Sequence, residues 1–202
     1  MFSMKIPVFI QYDTMDCGPS CLLMISRYYG KKYSLSTIRE LCYVSRSGVS
    51  LLGLNEAAKT LGYSARSVQL NFEYLSQNVQ FPCIVHWNEN HFVVVYKITP
   101  KFVYIIDPGC GKIRLTHKDF LRSWASINED EGFALLLEPT EKFYQKQDDR
   151  TDKFDIKLIL NYVAPHKKAI FLLLMFQFGQ KMQNLIVFTV LCLTIKLSKQ
   201  KK

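Results

Sequence analysis

The feature that most constrains the fold is a change of sequence pattern at residue 63. The part before it carries helix start and stop signals, and the part after it carries short apolar runs separated by turn residues. Helices are expected between Thr14 and Gly30, at about 34–45 and at about 50–61. Strands are expected at 63–70, 82–87, 91–98, 101–107, 111–116 and 132–138, interrupted by a short helix at 117–124. Helices followed by antiparallel strands predict an α+β fold in which the N-terminal helices pack on an antiparallel sheet.

Capping signals predict where two of these helices begin. Pro19 suits the first turn of the first helix, and Thr14 or Asp16 is expected to cap it. Thr116 and Asp119 have the spacing of a capping box, which predicts a helix start after Thr116.

The length of 202 residues allows one domain of ordinary size and a short appendage. With 49% hydrophobic and 21% charged residues, the chain has enough apolar material for a packed core. We expect a folded domain at 1–140, a polar linker at 141–160, and at 161–202 a basic approach to a transmembrane segment.

The net charge of +9 is unevenly distributed along the chain. Residues 1–140 hold 14 Lys and Arg against 12 Asp and Glu, whereas residues 141–202 hold 12 against 5. The domain is therefore nearly neutral, and the basic residues surround an apolar tract. This distribution favours a membrane surface over nucleic acid as the partner.

The apolar tract at 169–195 is long enough to span a bilayer, which takes about 20 residues. Lys181 near its centre opposes insertion by roughly 2.5–3.5 kcal/mol. The polar residues in its middle are spaced so that a helix would gather them on one stripe, facing a partner or a wet cavity. They are Gln177, Gln180, Lys181 and Asn184. A soluble helix or an amphipathic helix lying on a membrane remains the alternative.

The six cysteines include no C-x-x-C pair and are too few for a disulfide scaffold. This cysteine usage favours a reducing compartment. No signal peptide is evident, so the N-terminal domain is expected to stay where it is made. Four of the cysteines have no evident partner and are interpreted as packing residues: Cys21, Cys42, Cys83 and Cys110.

Cys17 lies at the predicted mouth of the first helix, where unpaired backbone N–H groups and the helix dipole favour a thiolate. This is a suitable place for a nucleophile, although a lone cysteine is more often a small buried apolar residue. Catalysis also needs a base within reach.

A base and an orienting acid follow from strand register. The strands at 91–98 and 101–107 are joined by a turn near residues 99 and 100, so an antiparallel hairpin places His91 opposite residues 107–109. His91 and Asp107 are therefore expected to touch at the open ends of their strands. With Cys17 they would form a nucleophile, a general base and an orienting acid. Taken alone, they would be interpreted as a surface histidine and a turn-forming aspartate.

Gln11 supplies a fourth group. Acyl transfer needs donors aimed at the oxyanion, and the backbone N–H of Cys17 and the side-chain amide of Gln11 would provide two. Without Cys17, Gln11 would be interpreted as an exposed polar strand residue.

Three motifs stand out in this order: Q-x5-C-G-P-S-C-L at 11–22, N-H-F-V-V-V-Y at 90–96 and I-I-D-P-G-x-G at 105–111. Their order and approximate spacing resemble the papain-like cysteine peptidases that form the N-terminal domain of peptidase-containing ABC transporters. That family processes bacteriocins and related peptides with double-glycine leaders. The resemblance covers about residues 8–138 and implies a papain-like cysteine peptidase fold.

The resemblance also implies roles and partners. It implies Cys17 as nucleophile, His91 as base, Asp107 as orienter and Gln11 in the oxyanion hole. The implied substrate is a leader peptide, cut after Gly-Gly or Gly-Ala on the cytoplasmic side of a bacterial inner membrane. The implied partners are transporter domains or subunits with an ATPase. We expect neither a cofactor nor a bound metal.

The sequence also departs from the resemblance. Family members usually continue into six membrane helices and an ATPase domain, whereas this sequence holds one apolar tract. No G-x4-G-K-[ST] loop is present, since Gly111-Lys112 lacks the upstream glycine and the following Ser or Thr. ATP hydrolysis is therefore not expected of these residues. His166, Lys167 and Lys168 resemble the family's cytoplasmic anchors before its first membrane helix.

Three other functions stay open from the sequence. A metal site could use Cys17, Cys21, His86 and His91, although the cysteine spacing lacks the usual knuckle. A leader-binding module without catalysis would not need the three catalytic groups together. An amidase or a transglutaminase could use the same residues for a different acyl transfer.

Overall fold

The computed structural model describes residues 6–44, 48–125, 129–148, 168 and 175–183. Between residues 17 and 145, the described part of the chain forms six α-helices. They are α1 Cys17–Tyr28, α2 Leu35–Leu41, α3 Leu51–Leu61, α4 Phe72–Asn78, α5 His117–Trp124 and α6 Glu141–Gln145. A short 3-10 turn at Thr14–Asp16 precedes α1.

Six strands form one antiparallel sheet in the order β1-β6-β2-β3-β4-β5. They are β1 Tyr63–Asn71, β2 Cys83–Trp87, β3 His91–Ile98, β4 Phe102–Asp107, β5 Gly111–Thr116 and β6 Glu131–Pro139. The predicted α+β class is therefore confirmed, and the predicted strands all form.

The sheet is covered on both faces because its central strands alternate their apolar side chains between two cores. One core packs the helices α1, α2 and α3 on the sheet through residues such as Phe92, Val94 and Ile106. The other packs α4 and α5 through Val93 and Val95. β3 is thus buried on both sides, and its first residue stands where the sheet meets α1.

Helix α1 is buried along almost its whole length, including Ser20 and Ser26. It ends at Tyr28, and Gly30 follows with a φ of 88°, which favours glycine. Asp16 occupies the N-cap position but its side chain does not cap the helix, so the predicted cap is wrong. Asp13 instead accepts a hydrogen bond from the Met15 backbone N–H at 3.1 Å. The capping bond predicted before α5 is confirmed, since Thr116 Oγ1 accepts from the Asp119 N–H at 3.2 Å.

Two short helices were not predicted from the sequence. Helix α4 begins after Asn71, whose side chain accepts from the Tyr74 N–H at 2.9 Å. Helix α6 lies inside the segment expected to be a linker, and its Phe143 is fully buried against Tyr63, with ring centroids 4.4 Å apart. The packed fold therefore continues beyond residue 140. The domain boundaries themselves stay a prediction.

Gly62 allows α6 to dock. It ends α3 with a φ of 99°, and a Cβ there would stand 2.6 Å from the Phe143 backbone nitrogen. The Gly62 carbonyl accepts from Thr140 Oγ1 at 2.6 Å. Only a residue without a side chain fits this close approach.

The five cysteines among the described residues are free, and four of them are buried. Cys21, Cys42 and Cys83 are buried, as expected of packing residues. Cys110 is exposed, so its assignment to packing is wrong: it lies in the β4–β5 turn rather than inside a strand.

Residues 175–183 are helical with exposed side chains, and the rest of the tract predicted to span the membrane lies outside the described residues. Within the described part of the chain, no helix is long and apolar enough to cross a bilayer.

We predict that Phe143→Ala lowers the free energy of unfolding by about 3–5 kcal/mol, because it empties a fully buried aromatic site. Urea denaturation followed by circular dichroism measures this loss. The matched control is the neighbouring Tyr144→Ala, whose side chain is 54% exposed and should cost less than about 1 kcal/mol. If Phe143→Ala costs as little as Tyr144→Ala, α6 is not part of the cooperative fold.

Candidate active site

Cys17 is the first residue of α1 and is 5% exposed. Its position depends on close packing at the helix start. A side chain at Gly18 would collide with Val49, which precedes α3. The small residue after Cys17 therefore lets the helix start approach its neighbours, and the thiol sits at the positive end of the helix dipole.

His91 and Asp107 meet at the ends of two neighbouring strands. His91 begins β3 and Asp107 ends β4. Val94 pairs with Ile106, and a bulge between Val95 and Lys97 shifts the register on the turn side of the hairpin. His91 Nε2 and Asp107 Oδ1 are 2.8 Å apart, so the predicted contact is confirmed.

The environment of His91 favours the imidazolium. Burial alone would lower the pKa of His91, but hydrogen bonds with Asp107 and Cys17, together with the charges of these two groups, raise it to about 9. The His91 side chain is 22% exposed, so it can still meet a substrate. The three groups predicted from the sequence are thus brought together.

Asp107 is held in the charged state by its neighbours. Burial would raise its pKa, but hydrogen bonds from His91 and from the Gly109 backbone N–H lower it below the usual value. The Gly109 N–H donates to Oδ1 at 2.7 Å. This bond leaves the carboxylate little freedom to rotate away from the imidazole.

Gln11 reaches the same site from the N-terminal segment. Its backbone N–H donates to the Pro108 carbonyl at 2.9 Å, which ties residue 11 to the turn after Asp107. Its Oε1 is buried and has no hydrogen-bond partner among the described residues. This oxygen is an acceptor, whereas an oxyanion would be met by the Nε2 hydrogens of the same side chain.

A pocket of about 660 Å³ opens beside these residues. It is lined by Gln11, Thr14, Met15, Trp87, Asn88, Asn90, His91, Asp107, Gly109 and Cys110. The sequence pointed to three of these as site residues. The N-E-N turn between two strand-like runs is the signal that could have added Asn88 and Asn90, because it brings them to the same sheet edge as His91.

Cys110 lines this pocket, although the sequence analysis interpreted it as a packing residue. Its thiol interacts with the Asp107 carboxylate, and burial and the Asp107 charge raise the pKa of Cys110 above the usual value. A second thiol therefore lies at the rim of the pocket, in its protonated form at neutral pH.

The proposed metal ligands are not grouped as a site. His86 packs its ring against Phe92, with centroids 5.2 Å apart. Within the described ranges, no three His, Cys, Asp or Glu side chains are grouped so that they could hold a metal ion.

The chain matches the model of the peptidase C39 family over residues 5–142. The pediocin PA-1 transport/processing ATP-binding protein PedD of Pediococcus acidilactici is 31% identical over 157 residues, which are 74% of this chain and 21% of that protein. The lactococcin-G-processing and transport ATP-binding protein LagD of Lactococcus lactis subsp. lactis is 29% identical over 150 residues, which are 72% and 20%. The chain thus spans about a fifth of the length of these relatives.

A solved structure gives the same comparison in three dimensions. The crystal structure of a double glycine motif protease from an AMS/PCAT transporter, in complex with the leader peptide, matches this chain with a TM-score of 0.63 and 36% sequence identity. The match covers 68% of this chain and 94% of that one.

We predict that Asp107→Asn lowers the pKa of His91 from about 9 by roughly one to three units, because the imidazolium loses its charged partner. NMR titration of the His91 ring protons measures the change. Asp119→Asn, an exposed carboxylate on α5, is the matched control and should leave His91 unchanged. An unaltered His91 titration in Asp107→Asn would contradict the assigned ion pair.

Proposed function

The chain belongs to the peptidase C39 family, and we propose that it is a cysteine endopeptidase that removes the leader from double-glycine-type peptide precursors. The family match confirms the resemblance carried by the three motifs. The observation that carries the catalytic proposal is the 2.8 Å contact between His91 and Asp107 beside Cys17 at the start of α1.

The first chemical step uses the charge state of His91. With a pKa of about 9, His91 holds a proton at neutral pH, and Cys17 is its hydrogen-bond partner. We infer that Cys17 reacts as a thiolate beside the imidazolium and attacks the carbonyl carbon of the scissile peptide bond. The C–S bond forms as the carbonyl π electrons move to oxygen, which becomes an oxyanion.

The oxyanion needs donors that are already in place. In the proposed mechanism these are the backbone N–H of Cys17 and the side-chain amide of Gln11. The bond between the Gln11 N–H and Pro108 supports this role, because it fixes residue 11 against the turn that also positions Asp107. A donor held this way costs little reorganisation as charge develops.

Collapse of the intermediate uses the proton on His91. The imidazolium gives this proton to the leaving amine, the C–N bond breaks, and a thioester remains on Cys17. Neutral His91 then takes a proton from water, and the resulting hydroxide attacks the thioester carbon. The C–S bond breaks, the leader leaves as its acid, and Cys17 returns to the thiolate beside the imidazolium. Asp107 orients the ring and stabilises the imidazolium in both halves of the reaction.

The partners follow from the relatives, so they are part of the proposal. PedD and LagD are by name transport and processing ATP-binding proteins. We propose that this chain works on the cytoplasmic face of a bacterial inner membrane, together with transporter domains or subunits that include an ATPase. The basic residues around 169–195 support a membrane location.

Two other functions use the same residues differently. A leader-binding module would bind the precursor without cutting it, and a different acyl-transfer enzyme would pass the thioester to another acceptor. The contact of His91 with Asp107 favours catalysis over binding alone, because binding does not need an oriented imidazolium. A panel of precursor peptides with and without a double-glycine leader separates leader cleavage from other acyl transfer.

We predict that Cys17→Ala abolishes cleavage of a double-glycine leader while leader binding survives, since only the bond-forming atom is lost. Gln11→Ala should reduce turnover by roughly 10²- to 10³-fold with little change in affinity, because its hydrogen bond strengthens only as the oxyanion forms. Initial rates and leader affinity are measured separately for each variant.

The double variant tests whether Cys17 and Gln11 act on the same tetrahedral intermediate. Without Cys17 there is no tetrahedral intermediate for Gln11 to stabilise, so Cys17→Ala with Gln11→Ala should match Cys17→Ala alone. Full cleavage by Cys17→Ala would end the cysteine-peptidase proposal.

We predict that the full chain associates with membranes through 169–195 and that a chain ending at residue 151 does not. Fractionation of cells expressing each chain measures this. Recovery of the full chain as a monomer in buffer without detergent would contradict the membrane location and leave the peptidase proposal intact.

A further inference from the structure

We propose that Arg39, acting through Asp16, is a positioning residue that fixes the charge next to Cys17. The inference deepens the proposed function and rests on it, since it assigns Arg39 a part in setting the reactivity of the nucleophile. It comes from a pair of residues that the catalytic mechanism above does not use.

The pair joins the turn that leads into α1 to helix α2. Asp16 precedes Cys17 in the chain and is only 1% exposed. Arg39 lies on α2, and its Nη1 donates to Asp16 Oδ2 at 3.1 Å. The Arg39 side chain is 42% exposed, so its charge stays hydrated while it neutralises the buried carboxylate.

Helix capping does not explain a carboxylate at this position. The Asp16 side chain makes no capping hydrogen bond to α1, and its Oδ1 is buried with no hydrogen-bond partner among the described residues. The turn before α1 is stabilised by Asp13 instead. A buried carboxylate with one unsatisfied oxygen is costly, so the ion pair with Arg39 is what holds it in place.

The charge of Asp16 bears on the neighbouring thiol. A carboxylate next to Cys17 opposes the thiolate, and a guanidinium 3.1 Å from that carboxylate cancels most of the effect. Burial raises the pKa of Asp16, the Arg39 charge lowers it, and Asp13 raises it. The pair therefore presents a small net charge to Cys17. Loss of the Asp16 carboxylate would leave the positive charge of Arg39, and loss of Arg39 would leave a negative charge wherever Asp16 stays ionised.

Other titratable groups near Cys17 also influence the charge of its thiol. His91 from β3 and Asp107 from β4 act through the catalytic contact. Asp13 faces Asp16 from the turn before α1. Cys21, one turn further along α1, stays protonated because burial, and then the charges of Cys17 and Asp107, raise its pKa well above the usual value. None of these groups changes in the variants below.

The test measures the rate at which iodoacetamide alkylates Cys17 in the full chain as a function of pH. Peptide mass spectrometry distinguishes Cys17 from the other cysteines. Asp16→Asn leaves Arg39 unbalanced, so the acid limb of the labelling profile should move to lower pH. Arg39→Met leaves Asp16 unbalanced, so the limb should move to higher pH. Each shift is expected to be roughly one unit, which is about tenfold in labelling rate below the midpoint.

The double variant and the conservative variant separate charge from packing. Asp16→Asn with Arg39→Met removes both charges and should return the profile close to that of the parent chain. Arg39→Lys keeps the charge and should keep the profile. If Arg39→Met fails to fold by circular dichroism, Arg39→Gln takes its place, because the exposed side chain tolerates a polar replacement.

A surface ion pair provides the matched control. Arg66 and Glu138 lie on β1 and β6, 3.7 Å apart and exposed, so Arg66→Met and Glu138→Gln should leave Cys17 labelling unchanged.

Shifts of Asp16→Asn and Arg39→Met in the same direction, or no shift in either, would overturn the inference while the peptidase proposal stands. Failure of the parent chain to label Cys17 ahead of its other cysteines would contradict the peptidase proposal, and this inference with it.

Discussion

The site depends on the burial of α1 against β3. Cys21 lies one turn after Cys17, and its thiol donates to the Phe92 carbonyl at 3.3 Å inside the core. Phe92 directly follows His91 in β3. The helix that carries the nucleophile is therefore held against the strand that carries the base by a contact four residues after Cys17 and one residue after His91. Without this packing, the two groups would have no fixed separation, whatever their chemistry.

Two separate carboxylate–cation pairs lie near this contact. On the sheet side, Asp107 stabilises the imidazolium of His91, and the Gly109 N–H holds the carboxylate still. On the helix side, Asp16 and Arg39 form a second ion pair, 3.1 Å apart. Both pairs keep a buried carboxylate matched to a cation, which is the condition for burying such groups at tolerable cost.

Structure could be predicted from the sequence where it depends on local periodicity and on the register of neighbouring strands. The strands and the meeting of His91 with Asp107 could be predicted, because an antiparallel hairpin with a short turn leaves few possible pairings. Helices α4 and α6 could not, since each is too short for a periodic signal and forms where it packs. The Asp16–Arg39 pair spans 23 residues between two helices, and no local pattern connects its partners. Cys110 was assigned to packing because it had no evident partner in the sequence, and its contact with Asp107 appears only in the folded chain.

The exposed thiol of Cys110 has a consequence for chemical probes of the pocket. A reagent attached there would stand at the rim shared with His91 and would obstruct the pocket without touching Cys17. Inhibition by an electrophile is therefore not proof of attack on the nucleophile, and the modified peptide has to be identified. The same geometry offers an anchoring point: a covalent ligand tethered at the rim could hold a reversible group in the pocket, so the chain could be blocked at a residue that takes no part in bond making.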